Sequence, residues 1–297
     1  MKLNGLGCAL ALLAMSDAAL RLAAEHLSRA WSQTIVVENR PGANGFIALG
    51  ILKSASPDGY NLALASSSHL TTHPLLYKKL PYDPVRDFAP VIPLFTNYFF
   101  IAVAAGSPWR GVNDLIAAAK SRPGALSYAS GFVGCPAHLG VAVLEAATGT
   151  QMLHVPYKET TQLFVALGNG EIGWTLASPG TAGAAVQTGK VRLLALAAPS
   201  RLPAYKDVPT AAEAGGPADY EVSAWTGIIA PARTPAAVID KVNRDMARAV
   251  VDPKIRERYA VFGYEQYLMT PGEMAKLIAA ETARYAPVVK RLNIALD

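Results

Sequence analysis

Serine, cysteine, histidine and two glycines crowd into one short stretch, SGFVGCPAH at residues 130–138. Gly131 and Gly134 let the backbone bend closely, and Pro136 suits the first position of a helix, where no amide hydrogen is needed. Leu139, Val141, Val143 and Leu144 then continue as a helical run. The chemistry this pattern suits is anion capture, because the exposed amides of a helix start carry partial positive charge and favour a carboxylate. For catalysis the stretch offers one general base, His138. Glycine before a helix is common in any loop-to-helix junction, so a binding site has to be argued from the rest of the chain.

The rest of the chain excludes much. Its 297 residues are 52% apolar and 16% charged, enough for two lobes with cores and unlike a disordered chain. The 27 basic residues give a formal charge of +5 but are scattered, with no run of four, so no nucleic-acid groove is expected. A mildly basic surface suits anionic ligands. Two cysteines, Cys8 and Cys135, exclude a disulfide framework or a cysteine-based zinc site. His69 and His73 are four apart, yet Pro74 follows and no carboxylate is near, so no metal site is expected. HExxH, GxSxG, Walker and GxGxxG patterns are absent.

The elements that must position the 130–138 stretch alternate between short apolar strands and helical runs, which indicates an α/β architecture with largely parallel sheets. DAALRLAAEHLSRAW (17–31) reads as a helix capped by Ser16 or Asp17, with Leu20, Ala23, Leu27 and Trp31 on its inner face. Thr34–Glu38 and Tyr60–Ala65 read as strands, and Pro57-Asp58-Gly59 as a turn. Leu126–Ser130 is a strand entering the opening loop, and His154–Tyr157 is another. Trp225 lies in a strand over Glu221–Ala230 and is expected as a core or hinge aromatic. Two late helices are marked by Thr234 before Pro235 and by Thr270 with Glu273, a capping box. A long middle flanked by segments of one style predicts a discontinuous lobe 1 (1–104 plus 221–297) and a lobe 2 (105–220). That topology places a ligand cleft between lobes, where strand ends and helix starts converge.

Seven pieces, VVENRPGANG, SPDGYNLALASSSH, PYDPVRDFAPV, HVPYKET, GKVRLLAL, DVPTAAEAG and WTGIIAPARTP, together resemble the substrate-binding receptors of tripartite tricarboxylate transporters. They stand in family order, and the resemblance runs from about Ser16 to the C-terminus. It implies a two-lobed fold of the type II periplasmic binding-protein kind, two sheets flanked by helices, without catalysis, cofactor or metal. It implies a periplasmic monomer that captures a small organic carboxylate and hands it to membrane permease subunits. Carried onto this chain, the implied contacts are Ser66, Ser67 and Ser68, then Ser130, Gly131, Gly134 and Cys135, with His138 as an anchor of the helix and Thr181 from the loop 177–181. Cys135 stands where the family usually has a small hydroxyl residue, and a thiol is the weaker donor. Glu159, beside Lys158, is expected to be solvated, and Asp58 to serve its turn.

The start of the chain departs from the pattern. Relatives begin with an apolar strand and a loop with a glycine pair; this chain has CALALLAMSD. Met1-Lys2 and the apolar run that follows have the character of a short secretory signal, with Ala14-Met15-Ser16 as a cleavage site. Alternatively, residues 3–13 substitute for the missing strand. Cleavage at Ser16 would remove that strand, so the two roles compete. Ser16 and Asp17 are candidate contacts by position alone. The rival functions are a cytoplasmic α/β enzyme acting on a small anion and a degenerate receptor that lacks its first binding loop.

Overall fold

The computed structural model describes residues 7–10, 14–40, 42–261 and 263–297. In chain order the first elements are β1 (Gly7–Leu10), α1 (Ala14–Trp31), β2 (Val36–Glu38), α2 (Phe46–Ser54), β3 (Ala63–Ser66), α3 (Ser67–Leu70), α4 (His73–Leu76) and β4 (Phe88–Ala104). The middle holds α5 (Val112–Ser121), β5 (Ser127–Ser130), α6 (Pro136–Thr148), β6 (Leu153–Pro156), α7 (Thr160–Gly168), β7 (Trp174–Ala177), α8 (Pro179–Gln187) and β8 (Val191–Ala197). The last are β9 (Ser223–Pro231), α9 (Ala236–Val250), α10 (Pro253–Val261), β10 (Glu265–Gln266) and α11 (Pro271–Leu292).

The chain divides into two compact units. Unit 1 is Met1–Thr96, Trp225–Ala286 and Ala295–Asp297; unit 2 is Asn97–Ala224 and Pro287–Ile294. The end of α11 therefore groups with unit 2, a detail absent from the sequence-based division.

In unit 1, β3 lies antiparallel to β9, with Ala65 opposite Gly227, and β10 lies antiparallel to the first part of β4. Strand β3 reads as a continuous apolar run because both its faces are covered. Leu62 and Leu64 join a core with Leu20, Ala23 and Leu27 of α1 and Val242 and Met246 of α9. Ala63 and Ala65, one step out of phase, join Leu49 and Leu52 of α2 with Trp225, Met274 and Ile278. Trp225 is fully buried and its indole donates to Glu281 Oε2 at 3.0 Å. At the outer end of α1, the Trp31 indole donates to Asp245 Oδ2 at 2.7 Å. A separate two-stranded sheet pairs β1 parallel to β2, Gly7 opposite Val36.

In unit 2, the second part of β4 is antiparallel to both β7 and β8, while β5 is parallel to β7 and to β6. Ile101 and Val103 of β4 face one core with Val112, Leu115, Val141 and Trp174; Ala102 faces another with Leu167 and Val191.

Several local expectations need correction. The sheets are mixed rather than largely parallel, because β4 is long enough to serve both units and runs against most of its neighbours. Helix α1 begins at Ala14, so Ser16 and Asp17 lie within it rather than at its cap; their side chains are outside what the structure describes. Thr234 does not cap α9: Pro235 is the cap residue, and Thr234 Oγ1 is buried with no hydrogen-bond partner among the described residues. The Thr270–Glu273 capping box does form, with Thr270 N donating to Glu273 Oε2 at 2.8 Å and Glu273 N to Thr270 Oγ1 at 3.3 Å. Asp58 Oδ1 takes the amide of Tyr60 at 3.0 Å, the turn role its sequence predicts.

Candidate functional site

The unit 2 loop is built by β5 ending at Ser130 and α6 starting at Pro136. Gly134 has φ +85°, a left-handed conformation that a residue with a Cβ rarely adopts, and this reverses the chain into the helix. Cys135 is the N-cap residue and is buried, and its side chain makes no capping bond. Pro136 brings no amide hydrogen, and the amides of Ala137 and His138 fall in the first turn, ahead of the helix's own hydrogen-bond ladder. At the loop's crest Gly131, Phe132 and Val133 are exposed.

Both ends of this loop are tied to imidazoles. The amide of Gly134 donates to His138 Nδ1 at 3.0 Å. Ser130 Oγ meets His154 Nε2 at 2.6 Å and also lies 3.2 Å from the Phe132 carbonyl. Ser130 is only 1% exposed, so its hydroxyl is engaged within the loop rather than presented at a surface. The His138 and His154 rings stack at 4.0 Å between centroids, 18° apart, with the Tyr128 ring 5.0 Å from His154. The parallel pairing of β5 on β6 sets Tyr128 opposite His154, and the Tyr157 amide closes the pair on the Ser130 carbonyl at 2.8 Å. Burial, and next the His154 ring, lower His138 from 6.5 to about 4; burial also lowers His154. Near neutral pH both rings are uncharged, so neither brings a fixed positive charge to the loop.

The unit 1 candidates sit where β3 runs into α3. The amide and hydroxyl of Ser66 both meet His69 Nδ1, at 3.0 and 2.8 Å. A nitrogen that receives an amide hydrogen must carry its own proton on the other side, so Nε2–H donates to the Asn44 carbonyl at 3.0 Å. Ser66 and Ser68 are half-buried and Ser67 is buried. The carbonyls of Ser67 and Ser68 receive the amides of Thr71 and Thr72 at 2.9 and 3.2 Å. Burial lowers His69 to about 4 against the support of its backbone partners, and burial with the neighbouring His69 lowers His73 to about 3. His69 has both nitrogens committed, which removes a His69–His73 metal pair. Among the described residues no cluster of three metal-ligand side chains exists. His73 Nδ1 is buried with no hydrogen-bond partner among the described residues.

Thr181 is exposed at the start of α8, its hydroxyl donating to the Ser178 carbonyl at 3.1 Å and paired with Ser178 Oγ at the same distance. Glu159 is exposed at the cap of α7. Within unit 2, then, the structure gathers Ser130, Gly131, Gly134, Cys135 and His138 on one loop, while Thr181 opens a different helix. Sequence reasoning missed His154 and His69 as parts of these junctions. The signal for His69 was its place three residues after Ser66, the spacing of a capping box. For His154 it was a polar residue on a strand adjacent to the loop's own.

The profile of the tripartite tricarboxylate transporter family receptor matches residues 19–294. This chain belongs to that family. A relative from a Pseudomonas species, the UPF0065 protein of the tcbD–tcbE intergenic region, is 32% identical, covering 93% of this chain and 83% of its own length. The solved structure of Rpa4515 from R. palustris with adipate is 29% identical with a TM-score of 0.81, covering 99% of both chains. MatC (Rpa3494) from Rhodopseudomonas palustris with bound malate is 26% identical with a TM-score of 0.75, covering 97% of this chain and 100% of the other. The family's members are two-lobed periplasmic substrate-binding receptors rather than enzymes. No helix among the described residues is long and apolar enough to cross a membrane.

Proposed function

We propose that this receptor captures a small organic carboxylate in the periplasm, as a monomer, and delivers it to the membrane permease subunits of a tripartite tricarboxylate transporter. The observation that carries the reading is the Ser130–Gly134 loop: a left-handed glycine leads into an uncapped helix start, and two neutral histidines hold the loop, one through the Gly134 amide and one through the Ser130 hydroxyl, without a fixed positive charge. Amides and helix starts of this kind receive carboxylate oxygens directly or through water. Adipate in Rpa4515 and malate in MatC support a small carboxylate as the ligand, and the proposed range is a di- or tricarboxylate or an aromatic acid. The contacts are Ser67 and Ser68 in unit 1, with Ser66 holding their turn through His69, and Gly131 and the α6 start in unit 2, with Gly134 holding the loop through His138 and Thr181 as an additional donor. Ser130 and His138 hold the loop, and Cys135 lines it. Ser16 and Asp17 complete the set at the start of α1.

The pairing of β1 with β2 supports residues 7–10 as the substitute for the family's first strand, and so a mature chain that keeps them. Mass spectrometry of exported protein tests this: a mature N-terminus ahead of Gly7 agrees, and one at Ser16 contradicts it.

The binding role is tested by isothermal calorimetry against dicarboxylates that include malate and adipate, tricarboxylates and aromatic acids. Saturable one-to-one binding of at least one is expected. Silence across the panel from a folded sample, or conversion of any compound, would contradict the reading.

A further inference from the structure

The two ends of the unit 2 loop rest on two rings that rest on each other. Ser130 begins the loop and is held by His154; Gly134 ends it and is held by His138; the rings stack at 4.0 Å. His154 comes from β6 and His138 from α6, so the loop is fixed only when strand and helix are both in place.

We propose that His154 and His138 are paired positioning residues for the loop 131–134, and that acid releases the loop by placing a proton on His138 Nδ1, where the Gly134 amide must be received. The loop's role as the carboxylate contact rests on the function proposed above; the latch itself does not.

The argument is one of donors and acceptors. In the neutral His138 ring Nδ1 has a lone pair, and the Gly134 amide points at it from 3.0 Å. A second proton on the ring turns that acceptor into a donor, and two N–H groups then face each other. The Gly134 amide loses its partner in a buried place, and an orphaned buried donor is costly. His154 acts in two ways. Its Nε2 engages the Ser130 hydroxyl, and its ring covers one face of His138, where a charge on either ring opposes a charge on the other. The groups facing the pair from other elements are neutral near pH 7. They are the Tyr128 phenol on β5, pushed up by burial, and the Trp174 indole on β7, 5.9 Å from Tyr128; the Cys135 side chain packs in the same core at the start of α6. Glu145, further along α6, is occupied by the Met152 amide at 2.6 Å and feels Arg291 from the end of α11.

The experiment is an NMR pH titration of the full chain, isotope-labelled and free of ligand. The Gly134 amide signal is expected to move with the same midpoint as the His138 ring, below pH 6. In His154→Phe, a ring of similar size that cannot become charged, the His138 midpoint is expected to rise. Hydrogen exchange at Gly131–Gly134 is expected to accelerate about tenfold at pH 7, the size of one lost buried hydrogen bond. His154→Gln, which restores a partner for Ser130, is expected to recover part of that protection. A Gly134 amide that ignores the His138 titration overturns the proposal, and the wild-type chain alone decides this if the variants do not fold. A His138 midpoint unchanged in a folded His154→Phe also overturns it.

A second arm adds malate and adipate at pH 7. If acid moves the loop amides and neither carboxylate does, the latch stands and the receptor reading loses its support. If a carboxylate moves them and acid does not, the reverse holds.

Discussion

Ser66 and His69 are locked together at the end of β3: one imidazole nitrogen, Nδ1, is met by both the amide and the hydroxyl of Ser66, while its opposite nitrogen donates to the carbonyl of Asn44. The serines that follow are therefore positioned by a neutral ring that spans from the strand end to a distant turn.

His69→Ala removes those partners at once. The Asn44 carbonyl and the Ser66 amide lose their bonds and a ring-sized space opens, so a loss of about 2–4 kcal/mol in unfolding free energy is expected. Urea denaturation measures it, and a loss below about 0.5 kcal/mol would show that water replaces the ring without cost.

Acid should unfold the protein earlier than its carboxylates alone would dictate. His69 and His138 lie at about 4 and His73 at about 3 in the folded chain, against 6.5 when exposed. Between those values the unfolded chain binds more protons than the folded one, so stability is full above pH 6.5 and falls as pH drops. His69 alone accounts for up to about 1.4 kcal/mol per pH unit in that window. The urea midpoint measured from pH 7.5 to 4.5 should fall steadily below pH 6.5; a flat profile would contradict the neutral buried histidines.

Gly227 and Gly50 make a contrasting pair. A Cβ on Gly227 in β9 would sit 2.7 Å from the Ile92 carbonyl oxygen and 2.9 Å from Pro93 Cα, both backbone, so the strands must part. Gly227→Ala should cost more than about 2 kcal/mol. A Cβ on Gly50 in α2 meets nothing within 4 Å, and Gly50→Ala should add about 0.5–1 kcal/mol through helix propensity. Thermal melting of the two variants reads both signs.

Much of this was legible in the sequence, and the misses have physical causes. The spacing of Leu20, Ala23 and Leu27 gave the buried face of α1, and Thr270 with Glu273 gave the start of α11, because both signals are local. The glycine at 134 and the proline at 136 likewise marked the loop and the helix it opens. Strand direction was misjudged because nothing local states which way β4 runs against β7 and β8. Ser130 looked like a free hydroxyl, since its partner His154 stands 24 residues away and meets it only through the pairing of β5 with β6. Thr234 looked like a cap because its type and place are right, yet the turn at Pro235 takes the chain past it.

Phe132 is 60% exposed at the crest of the loop, a large apolar ring standing in solvent. If it covers the carbon chain of a bound acid, Phe132→Ala should weaken binding of the longer adipate by about 5–20-fold and of malate less, with melting temperature unchanged. Calorimetry on the two ligands checks this; equal losses for both would assign Phe132 to the loop's shape instead.

The most direct measurement is amide shift mapping of the labelled chain as a carboxylate that binds in calorimetry is added at pH 7. Saturable shifts are expected at Ser67, Ser68, Gly131, Gly134 and the first turn of α6, with one shared affinity. Shifts that leave both the Ser66–Ser68 and Ser130–Gly134 segments untouched while the ligand saturates would contradict the account.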